Sequence, residues 1–119
     1  MKWAFVGASN IASEWMIGAV RALGDEVVAV VSGSAERAQA FASQHRIRHA
    51  LTDIRALAGL GLDAVYVSCT NNQHEAAVLQ AAAMGCHVLC EKPLALDLAA
   101  ARRMVDACAA AGVVMGTNH

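Results

Sequence analysis

Trp3-Ala4-Phe5-Val6-Gly7-Ala8-Ser9-Asn10-Ile11-Ala12 is the stretch on which the reading of this chain turns. Apolar residues run straight into a glycine, small and polar residues follow, and an Ala-rich helical pattern begins. The combination describes a buried strand, a tight turn and a helix N-terminus within one short span. Free backbone N–H groups and the positive end of a helix dipole meet at such a junction, which suits it to hold a phosphate. The dinucleotide-binding spacing is G-x-G-x-x-G, and here it reads Gly7-x-Ser9-x-x-Ala12. Only the first glycine is literal. Ser9 takes some of the room that the middle glycine leaves for a pyrophosphate, and Ala12 is an accepted substitute at the third.

Outward from this turn the chain alternates strand and helix. The pattern predicts strands over 2–6, 26–31, 46–50, 64–68, 87–90 and 113–116. Helices are expected over 10–23, 35–45, a short one capped by Thr52, one ending near Met84, and one over 98–111. Ser34 and Asp97 read as N-caps, and Asn72 with Glu75 as a capping pair. In the first helix Ile11, Trp15, Gly18/Ala19 and Ala22/Leu23 form the expected apolar stripe; Trp3 and Trp15 are assigned to packing. Glu26–Val31 is nearly all Val and Ala, as befits a strand covered on both faces. Six strands separated by helices imply a doubly wound α/β domain with a six-stranded parallel sheet, order 3-2-1-4-5-6, over residues 1–119.

Composition narrows the function classes. Hydrophobic residues make up 57% of the 119 residues and charged residues 16%, with a net charge of −1. No basic block offers a footprint for nucleic acid, and no apolar run approaches the roughly 18 residues that span a bilayer. Cys69, Cys86, Cys90 and Cys108 form no C-x-x-C and have no partners spaced like a zinc site. They read as small buried hydrophobes in a reducing cytosol, so a cytoplasmic protein without a metal centre is expected.

In this fold class ligands bind outside the carboxyl ends of the strands, where the strand order reverses. The stretches there are Gly7–Ala12, Ser32–Arg37, Cys69–His74, Glu91–Pro93 and Thr117–His119, and the polar residues of this oily chain cluster in them. An NAD site wants an acid about 20 residues beyond the glycine turn to accept from the ribose 2′-OH. Ser32, Gly33 and Ser34 stand there instead, with Glu36 further on in the helix. Ser32, Ser34 and Arg37 suit a 2′-phosphate, which points to NADP, with NAD the alternative. Lys92 follows a buried strand and precedes Pro93, where its ammonium could donate to a substrate hydroxyl or relay a proton; on position alone it could equally be a surface lysine. His74, at a helix start, could touch a cofactor or serve as a structural hydrogen bonder. His45, His49 and His87 read as structural or solvent-facing.

With these motifs in place, the chain resembles the N-terminal domain of the Gfo/Idh/MocA oxidoreductases over essentially its whole length. Glu91-Lys92-Pro93 matches the family's E-K-P motif, Thr70-Asn71-Asn72-Gln73-His74 is similar to its T-P-N-x-x-H stretch, and Asp63-Ala64-Val65-Tyr66-Val67 is similar to its D-A-V-x-I strand. The resemblance implies a Rossmann domain in which Gly7, Ala8, Ser9, Asn10 and Ile11 hold the pyrophosphate. Ser32, Ser34 and Arg37 would face the adenosine ribose, and Thr70, Asn71, Asn72 and His74 would line the cofactor. Glu91 and Lys92 would sit near the nicotinamide, with Lys92 the catalytic residue. It further implies hydride transfer between NAD(P) and a sugar, cyclitol or similar polyol, and a homo-oligomer. Ser9 and Asn71 depart from the family pattern. The family's second domain, which supplies most of the substrate pocket, is absent from these 119 residues, so a piece of a longer oxidoreductase is expected. The alternatives are a non-enzymatic module that senses NAD(P) or binds a protein, and a degenerate domain without cofactor.

Overall fold

The computed structural model describes residues 1–8, 15–68, 71–91 and 98–118, with the side chains of 71–74, 98, 100 and 117–118 left aside. Six strands form one sheet: β1 (Lys2–Val6), β2 (Glu26–Val31), β3 (His49–Leu51), β4 (Ala64–Val67), β5 (His87–Glu91) and β6 (Met115–Asn118). All pair in parallel, in the order β3-β2-β1-β4-β5-β6. The described helices are α1 (Ile17–Ala22), α2 (Ala35–His45), α3 (Asn71–Ala83) and α4 (Leu98–Ala111), with a short 3-10 turn over Ile54–Leu57. The doubly wound architecture expected from the sequence is the one observed.

Parallel strands need crossovers, and the crossover helices cover both faces of the sheet, so the strands are apolar throughout. Ala4, Val6, Val65, Val67, Val88 and Cys90 pack on one face with Val78 and Ala81 of α3 and Met104 and Cys108 of α4. Phe5, Val30 and Tyr66 pack on the other with Ile17 and Val20 of α1 and Phe41 of α2. Alternate residues of β1 and β4 divide cleanly between the two cores, as the two-residue strand period requires. In β2 the register slips between Trp3 and Ala4, which pair with Val27 and Ala29. The extra residue, Val28, is a bulge, and it lets Val27 and Val30 face the same core despite their odd spacing.

Several boundaries differ from the sequence expectation. Among the described residues α1 follows a wider π-type turn at residues 15–16, and its buried residues are Ile17 and Val20. The expanded turn rotates the helix face, so the stripe through Trp15, Gly18, Ala19, Ala22 and Leu23 faces outward. Trp15 is 71% exposed and Leu23 77%. Trp3 is half-buried, its indole N–H donating to Asp25 at 3.0 Å. The third strand starts at His49 rather than residue 46, because Arg46 turns left-handed (φ 57°) to close α2. Asp53, not Thr52, caps the 3-10 turn, accepting from the Arg55 N–H at 2.9 Å. The sixth strand runs 115–118, two residues later than expected, and Glu91 belongs to β5 rather than to a loop. Helix α3 begins at Asn71, which places Asn72 inside it, and Glu75 pairs with Arg103 of α4. Ser34 caps α2 as expected, accepting from the Arg37 N–H at 3.3 Å. The Asp97 cap and the start of the first helix lie outside the described residues.

Candidate functional site

The carboxyl ends of β1, β2, β3 and β4 open onto a cavity of about 500 Å³. Its wall is built from Val6, Gly7 and Ala8 after β1; Val31, Ser32, Gly33, Ser34 and Arg37 after β2; Thr52, Asp53 and Ile54 after β3; Ser68 after β4; and Ala76 and Ala77 of α3. This is where the strand order reverses, since β1 sends one crossover to β2 and the chain then returns to β4 on its other side.

Gly7 turns at φ 110°, in the left-handed half of backbone space where a side chain is strained. Its N–H donates to the Val31 carbonyl at 2.8 Å, and its carbonyl accepts from the Ser68 hydroxyl at 3.4 Å. With its own N–H committed to the end of β2, Gly7 shapes the turn. The loop after β2 is braced internally. The Ser32 N–H donates to the Leu51 carbonyl at 3.0 Å, and the Ser34 N–H to the Ser32 hydroxyl at 3.3 Å. From the first turn of α2 the Arg37 guanidinium reaches across the cavity mouth and donates to the Ala8 carbonyl at 3.2 Å. One cation therefore bridges the glycine turn and the loop after β2, and no acid stands at the end of β2. Glu36 lies in the first turn of α2 and is exposed.

Of the residues singled out in the sequence, Gly7, Ala8, Ser32, Ser34 and Arg37 come together in this cavity. Ser9, Asn10, Ile11, Thr70 and Lys92 lie outside the described residues. Asn71, Asn72 and His74 fall in the first turn of α3, without described side chains. Glu91 ends β5, away from the cavity wall, and accepts a short hydrogen bond from the Tyr66 hydroxyl.

Thr52, Asp53 and Ser68 are wall residues that the sequence reading missed. The available signal was the rule that strand ends line the site, and it was applied one residue late at β4 and not at all at β3. Asp53 is held at a pKa of about 2 by the Arg55 side chain and backbone that hydrogen-bond to it. Tyr66 is pushed up, by burial first and by Glu91 second, so it stays a neutral donor. Burial also raises the Cys86 and Cys108 thiols, leaving them poor nucleophiles. Burial lowers His45, with Arg21 adding to the effect. His87 accepts the Val114 N–H on Nδ1 at 3.0 Å, tying β5 to the segment before β6. Among the described residues there is no cluster of three metal-ligating side chains, and no helix long and apolar enough to cross a membrane.

Comparisons with known proteins agree with this geometry. A family described as an oxidoreductase family with an NAD-binding Rossmann fold matches residues 1–119. The 1,5-anhydro-D-fructose reductase of Ensifer adhaerens is 53% identical over 119 residues, covering 99% of this chain and 36% of that protein. An NADP-dependent scyllo-inositol 2-dehydrogenase of Bacillus subtilis is 34% identical over 116 residues, covering 97% of this chain and 35% of that protein. Among solved structures, an oxidoreductase from Agrobacterium radiobacter in complex with NAD+, L-tartaric acid and magnesium superposes with a TM-score of 0.91 at 28% identity, covering 99% of this chain and 35% of that one. A 3-ketoreductase from Actinomadura kijaniata in complex with NADP and TDP-benzene gives 0.89 at 28% identity, covering 99% and 37%. The chain thus spans about a third of the length of these relatives. With the six-stranded order, the cavity at its reversal point and a family match from end to end, the chain belongs to the Gfo/Idh/MocA oxidoreductases, of which it forms the NAD-binding Rossmann fold.

Proposed function

We propose that this chain is the cofactor half of an oxidoreductase that transfers hydride between NADP(H) and a hydroxyl/carbonyl pair on a sugar or cyclitol. The observation that carries the cofactor choice is the loop after β2. Ser32 and Ser34 stand where an NAD site would place an acid, and Arg37 reaches from α2 across to Ala8. A hydroxyl keeps its own proton to donate while it accepts, and a guanidinium offers a planar fork to a phosphate. The donor set therefore fits a 2′-phosphate, and a carboxylate there would repel one. The named relatives support the substrate class: one reduces an anhydro sugar and another oxidises an inositol with NADP.

When bound, the dinucleotide supplies or accepts the hydride. The protein's own residues do the rest. The turn at Gly7 and the residues after it bind the diphosphate, and Ser32, Ser34 and Arg37 hold the adenosine end. Lys92, the residue after Glu91 in the E-K-P motif, gives a proton to the carbonyl oxygen as the alcohol forms, or orders the hydroxyl in the reverse direction. An ammonium is suited to this because it can give a proton to a developing alkoxide and recover one from solvent.

Calorimetric titration of the chain with NADPH and NADH at matched salt tests the reading. NADPH should bind the more tightly. Arg37→Ala should weaken NADPH by roughly 10- to 100-fold, the worth of a charge-assisted hydrogen bond, and NADH far less. A preference for NADH overturns the 2′-phosphate assignment, and binding of neither by the folded chain favours a non-enzymatic module.

A further inference from the structure

Arg37 and Asp53 are the charged side chains among the described residues of the cavity wall, and they carry opposite signs. The cation suits a phosphate and the acid opposes one. The acid also stands near the place where a 2′-phosphate would lie. Val31 pairs with Leu51 at the ends of β2 and β3, and the Ser32 N–H donates to the Leu51 carbonyl at 3.0 Å. Thr52 and Asp53 therefore leave β3 beside the loop that carries Ser32 and Ser34, and neighbouring strands stand only about 4.8 Å apart. Protonation does not remove the charge at neutral pH, because the hydrogen bonds from Arg55 hold Asp53 at a pKa of about 2.

The charge is balanced by pairing instead. The Arg55 guanidinium engages both carboxylate oxygens, with Nε 3.2 Å from each and Nη2 2.8 Å from Oδ2. The Arg55 backbone N–H donates to Oδ1 at 2.9 Å, and that bond alone caps the 3-10 turn. The turn therefore does not require the guanidinium. Arg55 is absent from the described wall, and its side chain is largely exposed. Its effect on the cavity passes through Asp53. A carboxylate left unpaired at this distance would repel a dianionic phosphate and leave a ribose hydroxyl almost unaffected. We propose that Arg55 is a positioning residue for cofactor choice, which neutralises the Asp53 carboxylate and so keeps the end of β3 from repelling the 2′-phosphate held by Ser32, Ser34 and Arg37. This inference rests on the NADP reading above and extends it to the third strand end, which that reading leaves without a role.

The test measures NADPH and NADH affinities by calorimetry for the parent chain, Arg55→Ala, Asp53→Asn and the double variant, each checked by thermal melting. At low salt Arg55→Ala should weaken NADPH by about three- to tenfold and leave NADH within about twofold. The ratio of variant to parent should shrink at high salt, as it does for charges acting through solvent. Asp53→Asn keeps an acceptor for the Arg55 N–H and removes the charge. Alone it should leave NADPH at least as tight as in the parent, and in the Arg55→Ala background it should restore NADPH to within about twofold. Arg55→Lys should keep most of the NADPH affinity, and Arg55→Gln, uncharged but close in shape, should repeat the loss should the alanine variant fail to fold. Equal losses for both cofactors or an unchanged NADPH affinity would overturn the proposal. So would a loss that persists in the double variant, since Arg55 would then be touching the phosphate itself. A parent chain that does not prefer NADPH defeats the cofactor reading and this inference with it, whereas a preference that survives Arg55→Ala defeats this inference alone.

Discussion

Asp53 stands at the cavity wall with its carboxylate bound by the Arg55 guanidinium at 2.8 Å and by the Arg55 backbone N–H. Its folded-state pKa of about 2 lies below the roughly 3.9 of an unfolded aspartate. A depressed carboxylate contributes stability that is fully present above the unfolded value and is lost as pH falls through the folded one. Asp53→Asn should therefore lower the urea midpoint of the chain at pH 5 to 7. The difference should shrink between about pH 4 and pH 2 and vanish below that, as a pH series of urea melts would show. Because the pair is exposed, high salt should reduce the difference at every pH. Asp25 is shifted in the same direction, by hydrogen bonds from the N-terminal amine and then from Trp3. At this scale the sequence identified the residues after β1 and β2. Asp53 was passed over because a short edge strand carries too little pattern to show where it ends, so the strand-end rule had nothing to act on there.

Arg46 shows how an element boundary is set by something other than periodicity. It closes α2 at φ 57° and ψ 48°, and its N–H donates to the Ala42 carbonyl. Glycine takes this conformation freely, whereas a residue with a Cβ pays about 1 kcal/mol or more for it. Arg46→Gly should stabilise the chain by about 0.5–1 kcal/mol, after the added unfolded-state freedom of glycine is counted. Urea melts at constant m-value would check this. The same position explains why the third strand starts at His49: residues 46–48 complete the helix exit and enter the sheet only afterwards. The outward-facing stripe of α1 has a parallel cause. The expanded turn at residues 15–16 changes the phase of the helix, and regular 3.6-residue spacing cannot anticipate it.

Two apolar layers sandwich the sheet, and stability of the whole domain depends on keeping both filled. Met104, on α4, is fully buried against the core that α3 shares with β4 and β5. Met104→Ala should cost about 2–5 kcal/mol through lost burial and the cavity left behind. A domain of this kind has about 5–15 kcal/mol in total, so the urea midpoint should fall sharply while the m-value stays constant. Trp15, Leu23, Val105 and Val114 are large apolar side chains left exposed, on a chain that spans about a third of its relatives' length.

The sequence by itself determined the architecture. Runs such as Glu26–Val31, alternating with Ala-rich helices and stopped at Gly24, Gly85 and Gly112, admit only a parallel sheet with helices on both faces. It also determined the family, because Thr70–His74 follows the fourth strand and Glu91-Lys92-Pro93 begins at the last residue of the fifth, in order. What only the tertiary structure decided are the contacts between residues far apart in the chain. Arg37 meets Ala8, Ser68 meets Gly7, and Tyr66 meets Glu91 because parallel pairing sets their strands side by side in a particular register. The Val28 bulge and the wide turn at residues 15–16 shift that register and phase by one residue each. A one-residue change moves a side chain to another face, and local composition holds no record of it.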